Sequence, residues 1–168
     1  IDSKTLSGAL GLLVLRTARA IEQGMKHEDI INSMDEWIAN SRIYVSVKTL
    51  DYMVRGGRVS PMKGRVARVL NLKPIISMNT DGGSVLLDKA FTQKGNMRRV
   101  LKHISRLTSG RKVSDYLMLH AHDPETAAWY EKEMEKITGK KALATLDISP
   151  VIGLNAGKGA VAVSVMTD

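Results

Sequence analysis

The run Arg55-Gly56-Gly57-Arg58-Val59-Ser60 has the residue types best suited to chemistry with an anion. Two adjacent glycines permit a tight turn with positive φ, a conformation that a Cβ makes costly. Arg58 follows at once. Ser60-Pro61 then reads as an N-cap with proline at the first helical position. A guanidinium beside the free amides of a helix N-terminus suits a carboxylate or a phosphate. The same residues also read as a helix C-cap followed by a solvated arginine, and residue types alone leave both readings open.

Other runs offer weaker chemistry. Gly153-Leu154-Asn155-Ala156-Gly157-Lys158-Gly159-Ala160 reads as a glycine-rich loop with one cation. It lacks the Gly-Lys-Ser/Thr of a P-loop and leads into a strand, where a P-loop leads into a helix, so nucleotide hydrolysis is a poor reading. Ser7-Gly8-Ala9-Leu10-Gly11 places two glycines inside a predicted helix, at about 1 kcal/mol each relative to alanine. Close approach of another helix or of a ligand would explain them, and tight packing is the simpler of the two. His120-Ala121-His122-Asp123 sets two histidines on one face of a strand, but no second ligand cluster accompanies them, so no metal site is expected. His27 and His103 fall on polar helix faces and read as solvated. Arg98, Arg99, Lys102, Arg106, Arg111 and Lys112 form a basic stretch without interleaved aromatics, which makes nucleic acid an unlikely partner and leaves an acidic protein open. No nucleophile elbow, paired-carboxylate site or dinucleotide fingerprint occurs. The residues thus describe an anion-binding α/β module without an evident catalyst.

These residues must be held by elements that the periodicity outlines. A helix capped by Ser3 or Thr5 is predicted to run to about Gln23, with Gly24 as its stop, and a second helix spans about His27 to Asn40. Strands are predicted at Tyr44 to Val47, Lys73 to Met78, Val85 to Ala90, Tyr116 to Ala121, Leu143 to Ile148 and Ala160 to Val165. Asp81-Gly82-Gly83 marks a hairpin between the second and third. Helices are predicted from Ser60 to about Leu70, from Met97 to Leu107 and from Pro124 to Ile137, and a short helical turn from Thr49 to Arg55. The order implies a two-layer α/β sandwich with a mixed, largely antiparallel sheet covered by helices. The helical pair in residues 1–41 reads as part of an adjoining domain, and residues 42–168 as the sandwich itself.

Composition sets outer limits. At 168 residues, 43% hydrophobic and 25% charged, the chain can bury a core. Without cysteine it has no disulfide framework and no thiol catalysis, which fits a cytoplasmic protein. No apolar run reaches the roughly 18 residues of a membrane-spanning helix. The net charge of +8 suits nucleic acid, an anionic membrane or a small anionic ligand without choosing among them.

Several segments together resemble the DegV family of bacterial fatty-acid-binding proteins. Asp2-Ser3 with Ser7-Gly8-Ala9-Leu10-Gly11 is similar to the family's D-S-x3-S-x-G-L-G, with Ala9 as the departure. Thr49-Leu50-Asp51-Tyr52-Met53-Val54-Arg55-Gly56-Gly57-Arg58-Val59-Ser60 resembles T-L-x-Y-L-x-x-G-G-R-I-S, and Leu72-Lys73-Pro74-Ile75-Ile76 resembles I-K-P-I-L. The resemblance covers nearly the whole chain. It implies the C-terminal two-thirds of a two-domain protein, in which helices of a three-layer α/β domain precede a two-layer domain with a six-stranded sheet. It also implies a non-enzymatic carrier that needs no cofactor. A long-chain fatty acid would lie in an internal tunnel, with its carboxylate near the domain junction, and a separate fatty-acid kinase would be the partner that serves phospholipid synthesis. Carried over by motif, Arg58, Asn155, Ser7 and Gly8 fall near the carboxylate, and Arg58 and Lys158 face the partner or its phosphate. Asn155 stands where the family's final loop, H-x-G-P-G-A, has histidine. It can hydrogen-bond but cannot carry charge. Lys158 replaces the proline and brings a cation back to the loop. Two rival readings stand beside this one: a regulatory module that binds anions or nucleic acid, and part of a fused kinase-like enzyme.

Overall fold

The computed structural model describes all residues except 61, 63 and 66–69. Among the described residues six strands form one sheet: β1 (Ser41–Ser46), β2 (Lys73–Met78), β3 (Ser84–Ala90), β4 (Val113–His120), β5 (Thr145–Asp147) and β6 (Val161–Thr167). Their order across the sheet is β3-β2-β1-β6-β4-β5, antiparallel throughout except for the parallel pair β4 and β5. The mixed, largely antiparallel sheet is the architecture that the sequence implies. β6 sits at the centre, and all seven of its residues are buried. A strand covered on both faces needs no polar alternation, which is why it reads as a nearly unbroken apolar run.

The two faces of the sheet carry different helices. Tyr44, Tyr116, Met118, Val161, Val163 and Val165 point to the first face and pack under α4 (Gln93–Leu107) and α5 (Pro124–Thr138) through Val100, Ile104, Ala127, Tyr130 and Met134. The Tyr116 hydroxyl donates to the Lys140 carbonyl at 3.0 Å. Burial, reinforced by Glu131 and Glu135, pushes its phenol up to about 12, so it remains a donor. Ile43, Leu117, Leu119, Ala162 and Met166 point to the second face, where α1 (Ser7–Glu22) and α2 (His27–Ala39) cover them with Ala9, Leu12, Leu13 and Trp37. Two short helices, α3 (Asp51–Arg55) and α6 (Pro150–Ala156), stand beside the N-terminal end of α1.

Local signals explain most boundaries. Thr92 caps α4 by accepting from the Gly95 N–H at 3.0 Å. Asp123 caps α5 by accepting from Thr126 N–H at 3.2 Å, with Pro124 in the first turn, and Gly139 closes that helix at φ 68°. Other expectations need correction. α1 begins at Ser7, with Leu6 as a cap that supplies no side-chain acceptor, because Lys4 and Ser7 take positive φ and keep the preceding turn from being helical. The strand expected from Leu143 to Ile148 is three residues long, an edge strand held only by β4. The expected loop from Gly153 is instead helical as far as Ala156. Ser149 and Pro150 start that helix, and Gly153 has open space around it, with nothing nearer than Ile148 at 3.9 Å. The helix predicted from Ser60 to Leu70 falls largely outside the described residues.

Candidate functional site

The half of the sheet's second face that α1 leaves bare forms the floor of a cavity of about 210 Å³. Ile43, Val45, Ile76 and Ala162 line the floor. Leu6 and Ser7 close one side at the start of α1, Met53 of α3 another, and Ile148, Val151 and Ile152 a third. A second cavity of about 520 Å³ runs on beneath β2 and β3, past Leu50, Leu72 and Pro74. Met53, Arg58, Ile76 and Ser84 line both, so the two spaces adjoin. The walls are almost wholly aliphatic, with Met53 and Met78 in the first and Met62 in the second. Methionine is flexible and polarisable, and adapts to an irregular apolar guest.

Polar groups enter this lining at few points, and glycines place two of them. α3 ends at Arg55. Gly56 and Gly57 then turn the chain, Gly57 at φ 72°, so that the Arg58 and Val59 amides both donate back to the Met53 carbonyl, at 2.8 and 3.2 Å. The Arg58 guanidinium donates to the Gly56 carbonyl at 2.9 Å and is otherwise exposed. Asn155, on α6, lies against the same glycine: a Cβ at position 56 would stand 2.1 Å from its Oδ1. Any side chain there would displace the Asn155 amide, so glycine preserves this contact. The turn that carries Arg58 and the helix that carries Asn155, some hundred residues apart in the chain, therefore meet at Gly56. Asn155 Nδ2 donates to the Val151 carbonyl at 3.3 Å, while its Oδ1 is buried without a partner among the described residues. Gly157, just past α6, is fixed in the same way. Its φ is 81°, and a Cβ there would fall 2.1 Å from the Tyr52 ring.

The third polar entrance is the start of α1. Ser7 lines the cavity with φ at 55°, a strained value for a residue with a side chain. The first turn of this 16-residue helix has neither a capping side chain nor an acidic residue. Its free N–H groups and the helix dipole therefore favour an anion at that end.

The structure brings together three of the residues singled out by sequence: Ser7, Arg58 and Asn155 line one cavity. Gly8 does not line it. A Cβ there would fall 2.6 Å from both Leu119 Cδ1 and Ser164 Oγ, so Gly8 lets α1 lie on the sheet. Lys158 is exposed and lines neither cavity. Sequence reasoning missed Tyr52, Lys48 and Ser84. Tyr52 backs Gly157, and Lys48 packs on Gly159 while it pairs with Asp123 at 3.0 Å. That pair and Thr126 outweigh burial and hold the Asp123 carboxyl below its usual range. His103 is not solvated as expected. It lies 3.0 Å from Asp88 Oδ2 and stacks on Tyr44 at 6.3 Å. His120 Nδ1 is 3.0 Å from Asp147 Oδ1, close enough for an ion pair but not aligned as a hydrogen bond. His122 sits beyond the strand at φ 54°. Among the described residues no three His, Asp or Glu side chains are grouped to hold a metal, and no helix is long and apolar enough to cross a membrane.

Comparison with known proteins adds the following. A family model described as "Uncharacterised protein, DegV family" matches residues 1–168. A DegV domain-containing protein of Clostridium acetobutylicum is 28% identical over 167 residues, which are 99% of this chain and 59% of that protein. The crystal structure of a fatty acid binding DegV family protein from Streptococcus agalactiae superposes with a TM-score of 0.86 at 25% identity, over 100% of this chain and 59% of that one. The Streptococcus pneumoniae fatty acid kinase B3 protein loaded with linoleic acid superposes with a TM-score of 0.88 at 20% identity, over 100% and 59%. A DegV family protein from Eubacterium eligens loaded with heptadecanoic acid does so at 0.88 and 20%, over 100% and 60%. At 20% identity these last two speak to the fold alone. The chain spans about three-fifths of the length of each of these proteins.

Proposed function

This chain belongs to the DegV family, and on that premise we propose that it binds a long-chain fatty acid in the paired cavities beside α1. The carrying observation is the lining: largely aliphatic walls across two adjoining spaces, with Ser7, Arg58 and Asn155 at the first, serines at a few further points, and Arg58 and Lys89 as the two cations of the pair. An acyl chain buried there gains roughly 0.8 kcal/mol per methylene. A carboxylate needs compensation, because an unpaired buried charge is costly. Arg58 supplies the charge, the first turn of α1 supplies free N–H groups, and Asn155 supplies an amide once its Nδ2 leaves the long bond to Val151. Gly8 contributes indirectly, by seating the start of α1 on the sheet. The Streptococcus agalactiae protein, whose name states fatty acid binding, supports the same reading.

In this proposal the protein is a cytoplasmic carrier and not an enzyme, with no cofactor. Arg58 and Lys158, both exposed, face a partner that acts on the carboxylate. A fatty-acid kinase, the partner that the family resemblance implies, is the candidate for that role. The exposed apolar row Leu10, Val14 and Ile21 on α1 suits burial against a partner surface, and residues 1–41 are proposed to belong to an adjoining domain.

A displacement titration tests the proposal. A fluorescent long-chain acid bound to the protein is competed with a saturated acid and with its methyl ester. The acid is expected to displace the probe at least tenfold more tightly than the ester, since the ester forfeits a charge-assisted contact. Equal displacement by both would remove the carboxylate from the proposal, and displacement by neither would remove the acyl chain.

A further inference from the structure

The first face of the sheet carries a surface that the fatty-acid site does not use. Between Asp88 and Asp115 the chain has no acidic side chain, and α4 lies within this stretch. Along that helix Lys94, Arg98, Lys102 and Arg106 recur every four residues, and all four are exposed. Residues at this spacing stand on one slowly turning face, so the four cations form a row about 18 Å long. Arg99, between them, is taken up by Asp88 at 3.0 Å. The other four have no ion-pair or hydrogen-bond partner among the described residues. Helices usually place acids four residues from their cations, which neutralises the surface. Here nothing on the helix does so, and the cost of like charges in a row is left standing. At the end of the row, in the turn between β3 and α4, the Phe91 ring is 69% exposed.

We infer that this face of α4 docks on an anionic lipid surface. A row of long, flexible cations with no partners is complementary to a plane of negative headgroups, which each lysine or arginine near the surface approaches favourably. Phe91 decides between polyanions. An apolar ring beside the row enters the headgroup boundary of a bilayer, whereas a phosphodiester backbone offers it nothing. The helix itself carries no Phe, Tyr or Trp on which bases would stack, and its one imidazole, His103, is taken up by Asp88 and Tyr44. The inference goes beyond the carrier reading and does not depend on it, since α4 lies on the face of the sheet opposite the cavities.

Co-sedimentation of the whole chain with lipid vesicles tests it, using phosphatidylcholine alone and phosphatidylcholine mixed with phosphatidylglycerol. Retention only by the mixed vesicles, and release by added salt, is the expected result. The variant Arg98→Gln, Lys102→Gln, Arg106→Gln removes three cations from exposed positions at which glutamine is a good helix former. It is expected to bind roughly a hundredfold more weakly, with unchanged helix content and unchanged fatty-acid retention. Phe91→Ser is expected to weaken binding roughly tenfold with the charge intact. Equal retention by both kinds of vesicle, or a triple variant that binds as well as the parent, would overturn the inference. So would a protein that ignores vesicles yet is retained on duplex DNA in a salt-dependent way.

Discussion

Arg58 stands at the seam between the two cavities, and its surroundings make it the residue whose loss is most informative. Among the described residues its exposed guanidinium makes one hydrogen bond, to the Gly56 carbonyl, so Arg58→Ala should leave the thermal midpoint within the scatter of surface substitutions. The same change should weaken fatty-acid binding about tenfold, as removal of one charge-assisted contact does. Titration and thermal melting together check both halves. Asn155→Asp would set a second carboxylate beside the ligand's. Binding should fall at neutral pH and recover as the pH drops into the carboxylate range, because like charges oppose one another only while both are ionised. A binding curve measured across that range shows the recovery or its absence. Gly157→Ala requires a side chain at φ 81° and in the space of the Tyr52 ring. It should cost about 2 kcal/mol or more and lower the melting temperature by several degrees. Arg58 and the paired glycines before it were legible in the sequence because turn chemistry is local. Their neighbour Asn155 could be placed only through resemblance, since no local rule links positions 56 and 155.

At the scale of elements, two contacts keep the cavity's walls in place. Gly8 and Ala9 let α1 lie directly on β4 and β6, so Gly8→Val should loosen α1 and open the side of the cavity that Leu6 and Ser7 close. Faster hydrogen exchange in the first turns of α1 would report it. On the other face, Asp88 ties the edge strand β3 to α4 through Arg99 and His103. Burial raises the Asp88 carboxyl, but the Lys89 amide, His103 and Arg99 outweigh it and hold it below the usual range. A carboxyl depressed in the folded state stabilises above its unfolded pKa, and that contribution is lost as the pH falls through the folded value. The stability gap between the parent and Asp88→Asn, at most about 1 kcal/mol for so exposed a pair, should therefore be full at neutral pH and close under acid. Denaturant melts at both pH values measure it. The long helices α2 and α5 were readable from apolar period and flanking residues, whereas α4 was readable by period only from Met97 on, and its first turn, capped by Thr92, was not. α6 was not, because glycine and a short length masked it, and His103 was misjudged because its partners lie on two strands of the sheet.

For the molecule as a whole, the class and strand content of the fold were legible because each strand announces itself by local pattern and turn signal. The cavity was not. Its lining runs from residue 6 to residue 162 and is drawn from strands of both halves of the sheet and from the ends of three helices, a juxtaposition that no window of sequence contains. The exposed row of Leu10, Val14 and Ile21 on α1 was likewise hidden, since in sequence it reads as one more core face. The proposed fatty-acid binding requires the cavities to act as one space, so a bulky side chain on their floor is the sharpest probe. Ala162 lies on β6 in the middle of that floor, and Ala162→Phe fills the space while keeping an apolar strand. Solvent extraction of the purified parent and of Ala162→Phe, followed by mass spectrometry, reads the result. The expected outcome is about one long-chain fatty acid per chain in the parent and little or none in the filled variant. An extract of the parent without fatty acid, even after incubation with oleate, or an equal yield from both proteins, would contradict the assignment of these cavities to a fatty acid.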